Sequence, residues 1–123
     1  MLDLPYNSRK PVEYTDENTG YKTMLYPIGA LAMSLGRTPT TIRKWELLGV
    51  IPKTPFRVDG RRYYSEEQVK ICEEVAEKVH LSAGKTHISH TTFKRKVNEK
   101  WRELFIKIFG RDIYESEEEN EEA

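Results

Sequence analysis

Glycine and proline cut residues 26–64 into pieces too short for a long helix or a wide sheet, and those cuts constrain the fold more than any other feature. In the first piece, Tyr26 to Leu35, Ile28, Leu31, Ala32 and Leu35 take the i, i+3, i+4, i+7 spacing of one helical face. Pro27 is tolerated in the first turn and Gly36 is the stop. A second helix is predicted from Thr38, its N-cap, with Pro39 at the first helical position. Ile42, Trp45 and Leu48 or Leu47 face inward before Gly49 ends it, which leaves Thr40, Thr41, Arg43 and Lys44 on the outer side. Pro52 and Pro55 then exclude helix. Asp59-Gly60 is a hairpin-turn signal between Phe56-Arg57-Val58 and Arg62-Tyr63-Tyr64, so a small two-stranded wing follows.

The flanks read differently. Residues 1–22 mix Pro5, Asn7, Pro11, Asp16, Asn18 and Gly20 without a sustained period and are expected to form a flexible, mostly extended or disordered arm. Ser65 with Glu66, Glu67 and Gln68 is a capping box with acids in the first turn. It starts a helix that carries Val69, Cys72, Val75, Ala76 and Val79 on one side and ends near Leu81. Residues 82–91 read as a linker. Over 92–110, Phe93, Val97, Trp101, Leu104, Phe105 and Ile108 form a helical stripe that stops at Gly110. Trp101 and Phe105 are too much apolar surface to leave in water. The stripe either packs on the preceding domain or forms a self-association seam, and the seam, giving a homo-oligomer, is the preferred reading. The expected fold is mainly α: a winged helix-turn-helix over 23–81, a separate C-terminal amphipathic helix, and a disordered acidic tail over 111–123.

A chain of 123 residues, 37% hydrophobic and 33% charged, holds one modest soluble domain with appendages. Its formal net charge of zero conceals a sorting of charge along the chain. From Tyr21 to Tyr64 eight bases face only Glu46 and Asp59, and from Ser82 to Arg111 eight bases face only Glu99 and Glu103. After Asp112 the only charged residues are acids, so the tail is a solubilising segment or an internal polyanion that folds onto a basic face. No apolar run approaches the ~20 residues that span a bilayer, and the N-terminus lacks a signal core, so a cytoplasmic location is expected. Cys72, the single cysteine, excludes an intramolecular disulfide and any multi-cysteine zinc site. Ala83-Gly84-Lys85-Thr86 lacks the first glycine and the preceding strand of a phosphate-binding loop, and His80, His87 and His90 are irregularly spaced for metal. No nucleophile has a nearby base. No enzyme activity, cofactor or small-molecule effector is expected.

Two short helices joined by a tight turn suit a DNA major groove. Three blocks of this chain resemble the DNA-binding domain of the MerR-type winged-helix family, which also includes phage excisionases and the small subunits of some phage terminases. They are Tyr26-x-Ile28-Gly29-x-Leu31-Ala32, then Thr41-Ile42-Arg43-x-Trp45-Glu46-x-x-Gly49-x-Ile51-Pro52, then Gly60-x-Arg62-x-Tyr64-Ser65-x-x-x-Val69. The resemblance implies that the second helix enters the major groove with Thr40, Thr41, Arg43 and Lys44. It implies that Arg57, Arg61 and Arg62 carry the wing's contacts to the backbone or minor groove. Their chemistry agrees: arginine makes bidentate contacts to guanine, threonine meets phosphate or a thymine methyl, and wing arginines neutralise phosphates. Arg62 has a second option, packing its stem across Trp45 or Tyr64. Ala30 departs from the acid often found at its position, and no sensor domain or cysteine pair follows. The expected function is therefore sequence-specific double-stranded DNA binding by a small transcriptional regulator or excisionase-like recombination factor, of a kind that phages encode. The alternatives are the DNA-recognition subunit of a phage packaging assembly and a protein-interaction adaptor.

Overall fold

The structure, a computed structural model, describes residues 10–79 and 91–114. Readings that fall on Ala83-Gly84-Lys85-Thr86, the three histidines, most of the 82–91 linker and the glutamates after Tyr114 lie outside those residues. The described elements run β1 (Val12–Thr15), β2 (Lys22–Pro27), α1 (Ile28–Ser34), α2 (Pro39–Leu47), β3 (Phe56–Val58), β4 (Arg61–Ser65), α3 (Glu66–Lys78) and α4 (Phe93–Phe109). The strands form one antiparallel sheet in the order β1-β2-β4-β3. The predicted wing is thus half of a four-stranded sheet.

Its other half corrects the flexible arm expected through residue 22. Val12, Glu13, Tyr14 and Thr15 pair with Leu25, Met24, Thr23 and Lys22. The turn between them is closed by the Asp16 carboxylate, which accepts from the Thr19 N–H at 2.9 Å and the Thr19 hydroxyl at 2.8 Å. Four residues of strand are too few for alternation to stand out in sequence, and β1 becomes stable only against β2. The hairpin is also tied to α3. Tyr21 and Thr23 donate to Glu67 Oε1 at 2.5 and 2.9 Å. Burial and then the bond to Glu67 push the Tyr21 phenol up to about 12. Burial works to raise the Glu67 carboxyl, but the hydrogen bonds from Tyr21, the backbone and Thr23 outweigh it and hold the group below its ordinary value.

The helix starts follow their caps. Thr38 Oγ1 accepts from the Thr41 N–H at 3.3 Å ahead of Pro39. The Ser65 and Gln68 side chains exchange bonds with each other's backbone N–H at 3.2 and 2.7 Å, the capping box read from the sequence.

The larger correction concerns α4, whose stripe, read as a self-association seam on a separate helix, is instead packed into the chain's own core. Phe93, Val97, Trp101 and Phe105 are fully buried within the single chain, Ile108 nearly so, and Leu104 packs against the same core. The Trp101 ring centroid lies 6.1 Å from Tyr64, and its indole N–H donates to the Gln68 carbonyl at 3.3 Å. Phe105 meets Phe56 at 6.0 Å, and Phe56 meets Tyr14 of β1 at 5.1 Å. The physical reason is size. A module of three short helices and a wing has too little interior to close by itself, and each aromatic of α4 that it covers contributes on the order of 1.5 to 3 kcal/mol. Residues 111–114, expected within the disordered tail, extend this packing. Asp112 pairs with Arg102 at 2.9 Å, and the Tyr114 ring lies 6.2 Å from Phe105.

Candidate nucleic-acid interface

At the helical repeat of about 3.6 residues, positions 40, 43, 44 and 47 share one face of α2. Thr40, Arg43, Lys44 and Leu47 are all exposed there. Thr41 sits half-buried at the edge of that face, its hydroxyl 3.2 Å from that of Thr38. The opposite face carries Ile42, Trp45 and Glu46 into the interior. Trp45 is a core residue, tilted against Phe93 of α4 at 5.5 Å and covered on its outer side by the Arg37 guanidinium at 5.8 Å.

The wing turns at Asp59 and Gly60, with φ of 53° and 75°. Positive φ at both central residues is the two-residue hairpin turn whose twist matches the flanking strands. Arg57 and Arg61 stand exposed beside it, and an Arg57 N–H reaches the Gly60 carbonyl at 3.4 Å. Arg62 has a different position. Its Nε donates to Glu46 Oε1 at 2.9 Å, and the Glu46 side chain is only 4% exposed. Arg62 therefore clamps the wing strand to α2, so that the exposed residues of both belong to one rigid surface. Burial, and after it the charge of Glu46, pushes the neighbouring Tyr64 phenol upward. Of the seven residues singled out by sequence, five stand exposed on the helix face and wing, Thr41 lies at the edge of that face, and Arg62 is engaged inside.

Leu47 or Leu48 is expected to face inward, and neither does. Leu47 is 85% exposed and Leu48 58% exposed. The inward place expected for one of them is filled by Val50 and Ile51, which follow Gly49 at φ 77° and whose N–H groups both reach the Trp45 carbonyl. An apolar pair directly after a C-terminal glycine is the available signal, because the residue after such a glycine commonly packs back on the helix. The Asn98 amide of α4 then donates to the Gly49 and Val50 carbonyls at 3.2 and 3.1 Å, fixing the end of α2 from behind.

Helix, turn, helix and hairpin, held by the half-buried Arg62–Glu46 ion pair and presenting a cationic outer face, define a winged helix-turn-helix module. Residues 26–82 match the family model described as MerR HTH family regulatory protein, and this segment is a MerR-type helix-turn-helix domain. Comparisons with curated proteins and with solved structures gave no match. The matched segment begins at the end of β2 and stops before α4, so β1, most of β2 and the C-terminal helix lie outside it. No helix among the described residues is long and apolar enough to cross a membrane.

Proposed function

We propose that the chain is a sequence-specific double-stranded DNA-binding protein acting in transcriptional control or site-specific recombination. In this reading α2 enters the major groove and the wing lies on the adjacent backbone. Arg43 and Lys44 read base edges or phosphate, Thr40 and Thr41 meet phosphate or a thymine methyl, and Arg57 and Arg61 neutralise phosphates. Arg62 supports the surface by holding the wing against α2. Leu47 joins the reading set as an apolar contact. The observation that carries this reading is the exposed Thr40-Arg43-Lys44-Leu47 face on a helix of a MerR-type domain. The packaging-subunit alternative needed a free multimer-building helix, and the stripe that would have built it is spent in the core.

Selection of bound sequences from a random duplex pool, followed by titration on the winner, tests the proposal. The doubly substituted R43A/R61A chain is expected to bind at least ten-fold more weakly. Its log K against log[salt] slope should be shallower by about one for each phosphate that is no longer neutralised. No enriched sequence, or an unchanged affinity and slope in the double variant, leaves the adaptor reading in its place.

A further inference from the structure

Beside the outer face of α2 lies a groove of about 740 Å³, whose walls include Leu47, Gly49, Ile51, Lys94, Asn98 and Tyr114. Its rim is predominantly basic, with Lys53, Lys94, Arg95 and Arg102 against Glu46 and Glu99. Glu46 is matched by Arg62, Glu99 by Arg95 at 3.3 Å, and Arg102 is itself matched by Asp112 at 2.9 Å. Lys53 and Lys94 are exposed to solvent. The chain itself is delivered here: Tyr114 forms part of the wall, and its hydroxyl donates to the Lys53 carbonyl at 2.5 Å. Immediately after it the sequence reads Glu-Ser-Glu-Glu-Glu-Asn-Glu-Glu.

We propose that this groove is a binding site for an acidic peptide segment, and that its occupant is the chain's own residues 115–122. Charge complementarity is the first argument, since six carboxylates meet a rim whose acids are paired and which presents the exposed ammonium groups of Lys53 and Lys94. Connectivity is the second. Eight residues at roughly 3.3 Å each reach about 26 Å, enough to follow the groove from Tyr114 to the end of α2. A segment seated there brings negative charge beside Lys44 and Leu47, where it competes with a DNA duplex for the same face. That last consequence rests on the DNA-binding reading above; the docking itself does not.

The test uses the full chain. Cys72 is buried, so a nitroxide on S116C labels the tail alone. At low salt the amide signals of Gly49, Lys53, Lys94 and Asn98 are expected to broaden. The broadening should fall steeply at about 0.5 M salt, where the screening length is only a few ångströms. It should also fall when the six tail glutamates become glutamine and, separately, in K94E/R95E. Broadening that survives both sets of substitutions reflects tethering at Tyr114 alone and overturns the proposal. So does broadening of ¹⁵N-labelled, spin-free chains mixed with spin-labelled ones, which assigns the segment to a second copy. With docking established, the glutamine variant should bind random-sequence duplex roughly five-fold tighter at low salt and equally at high salt. Docking without that gain leaves the groove assignment standing and counts against the DNA reading.

Discussion

α2 and α4 are both amphipathic helices with lysine and arginine on their outer faces, yet the fold uses them in opposite ways. α4 sends Phe93, Val97, Trp101 and Phe105 fully into the core and leaves Ile106 as its exposed large apolar residue, so most of its apolar surface is used in holding the chain together. α2 buries Ile42 and Trp45 but leaves Leu47 and Leu48 outside beside Arg43 and Lys44. A stripe of large aromatics is a cost in water that packing removes. Two exposed leucines beside cationic residues are apolar surface that a partner on this face would cover. The contrast places α4 in the core and leaves α2 with an outer face that the proposed reading gives to recognition, and substitutions can separate the two.

The largest effect should come from α4. W101A removes a fully buried indole together with its bond to the Gln68 carbonyl, and is expected to cost about 4 kcal/mol in urea unfolding. A loss below about 1 kcal/mol would make α4 the detachable helix that its sequence suggested. Next comes the clamp between wing and α2. R62A strands the Glu46 carboxylate, whose side chain is 4% exposed, and should cost about 3 kcal/mol. Adding E46Q should restore part of that loss. No recovery in the double variant would mean that Arg62 acts through its stem rather than its charge.

How much of this was legible follows from the range of the interactions. Local signals held: the Thr38 and Ser65 caps, Pro39, the Asp59-Gly60 turn and the Gly110 stop each act within a few residues. What failed was long-range. The partner of the Phe93 to Ile108 stripe lies on Tyr64, Phe56 and Trp45, far away in sequence, and periodicity marks an apolar face without naming what covers it. β1 is defined by its register with β2 and by Phe56 beneath Tyr14, again a tertiary matter. The exposure of Arg43, Lys44, Arg57 and Arg61 was more legible, because it needs only the phase of a helix and the ends of a hairpin. Arg62 and Leu47 needed the three-dimensional neighbours.

A substitution at the tie between the β1–β2 hairpin and α3 sharpens the comparison by acting on stability alone. E67Q weakens the tie from Tyr21 and Thr23 to α3 and should cost about 1.5 kcal/mol near neutral pH, with DNA affinity per folded molecule unchanged. The folded Glu67 carboxyl lies below its ordinary 4.5, so its contribution is present above 4.5 and is lost as pH falls through the folded value. The variant should therefore lose less stability on acidification than the parent. At the alkaline end the Tyr21 phenol, raised from 10.0 to about 12, makes the parent lose stability as pH climbs through that interval. Parallel acid limbs in parent and variant would remove Glu67 from this account.

The smallest expected effect is the most discriminating. Leu47 is 85% exposed, so L47A removes almost no packing, and alanine is the better helix former; stability should stay within about 0.5 kcal/mol. If α2 is the recognition helix, the same change deletes apolar surface that the duplex covers. It should then weaken binding about three-fold, with the loss concentrated on sites whose facing base is thymine, since the thymine methyl is the apolar feature of the major groove. The salt slope should stay constant, because every phosphate keeps its cation. A changed slope would place Leu47 among residues that orient Arg43 or Lys44. An unchanged affinity with a lower light-scattering mass would instead give Leu47 to a protein partner, and α2 would then divide its outer face between DNA at its start and another chain at its end.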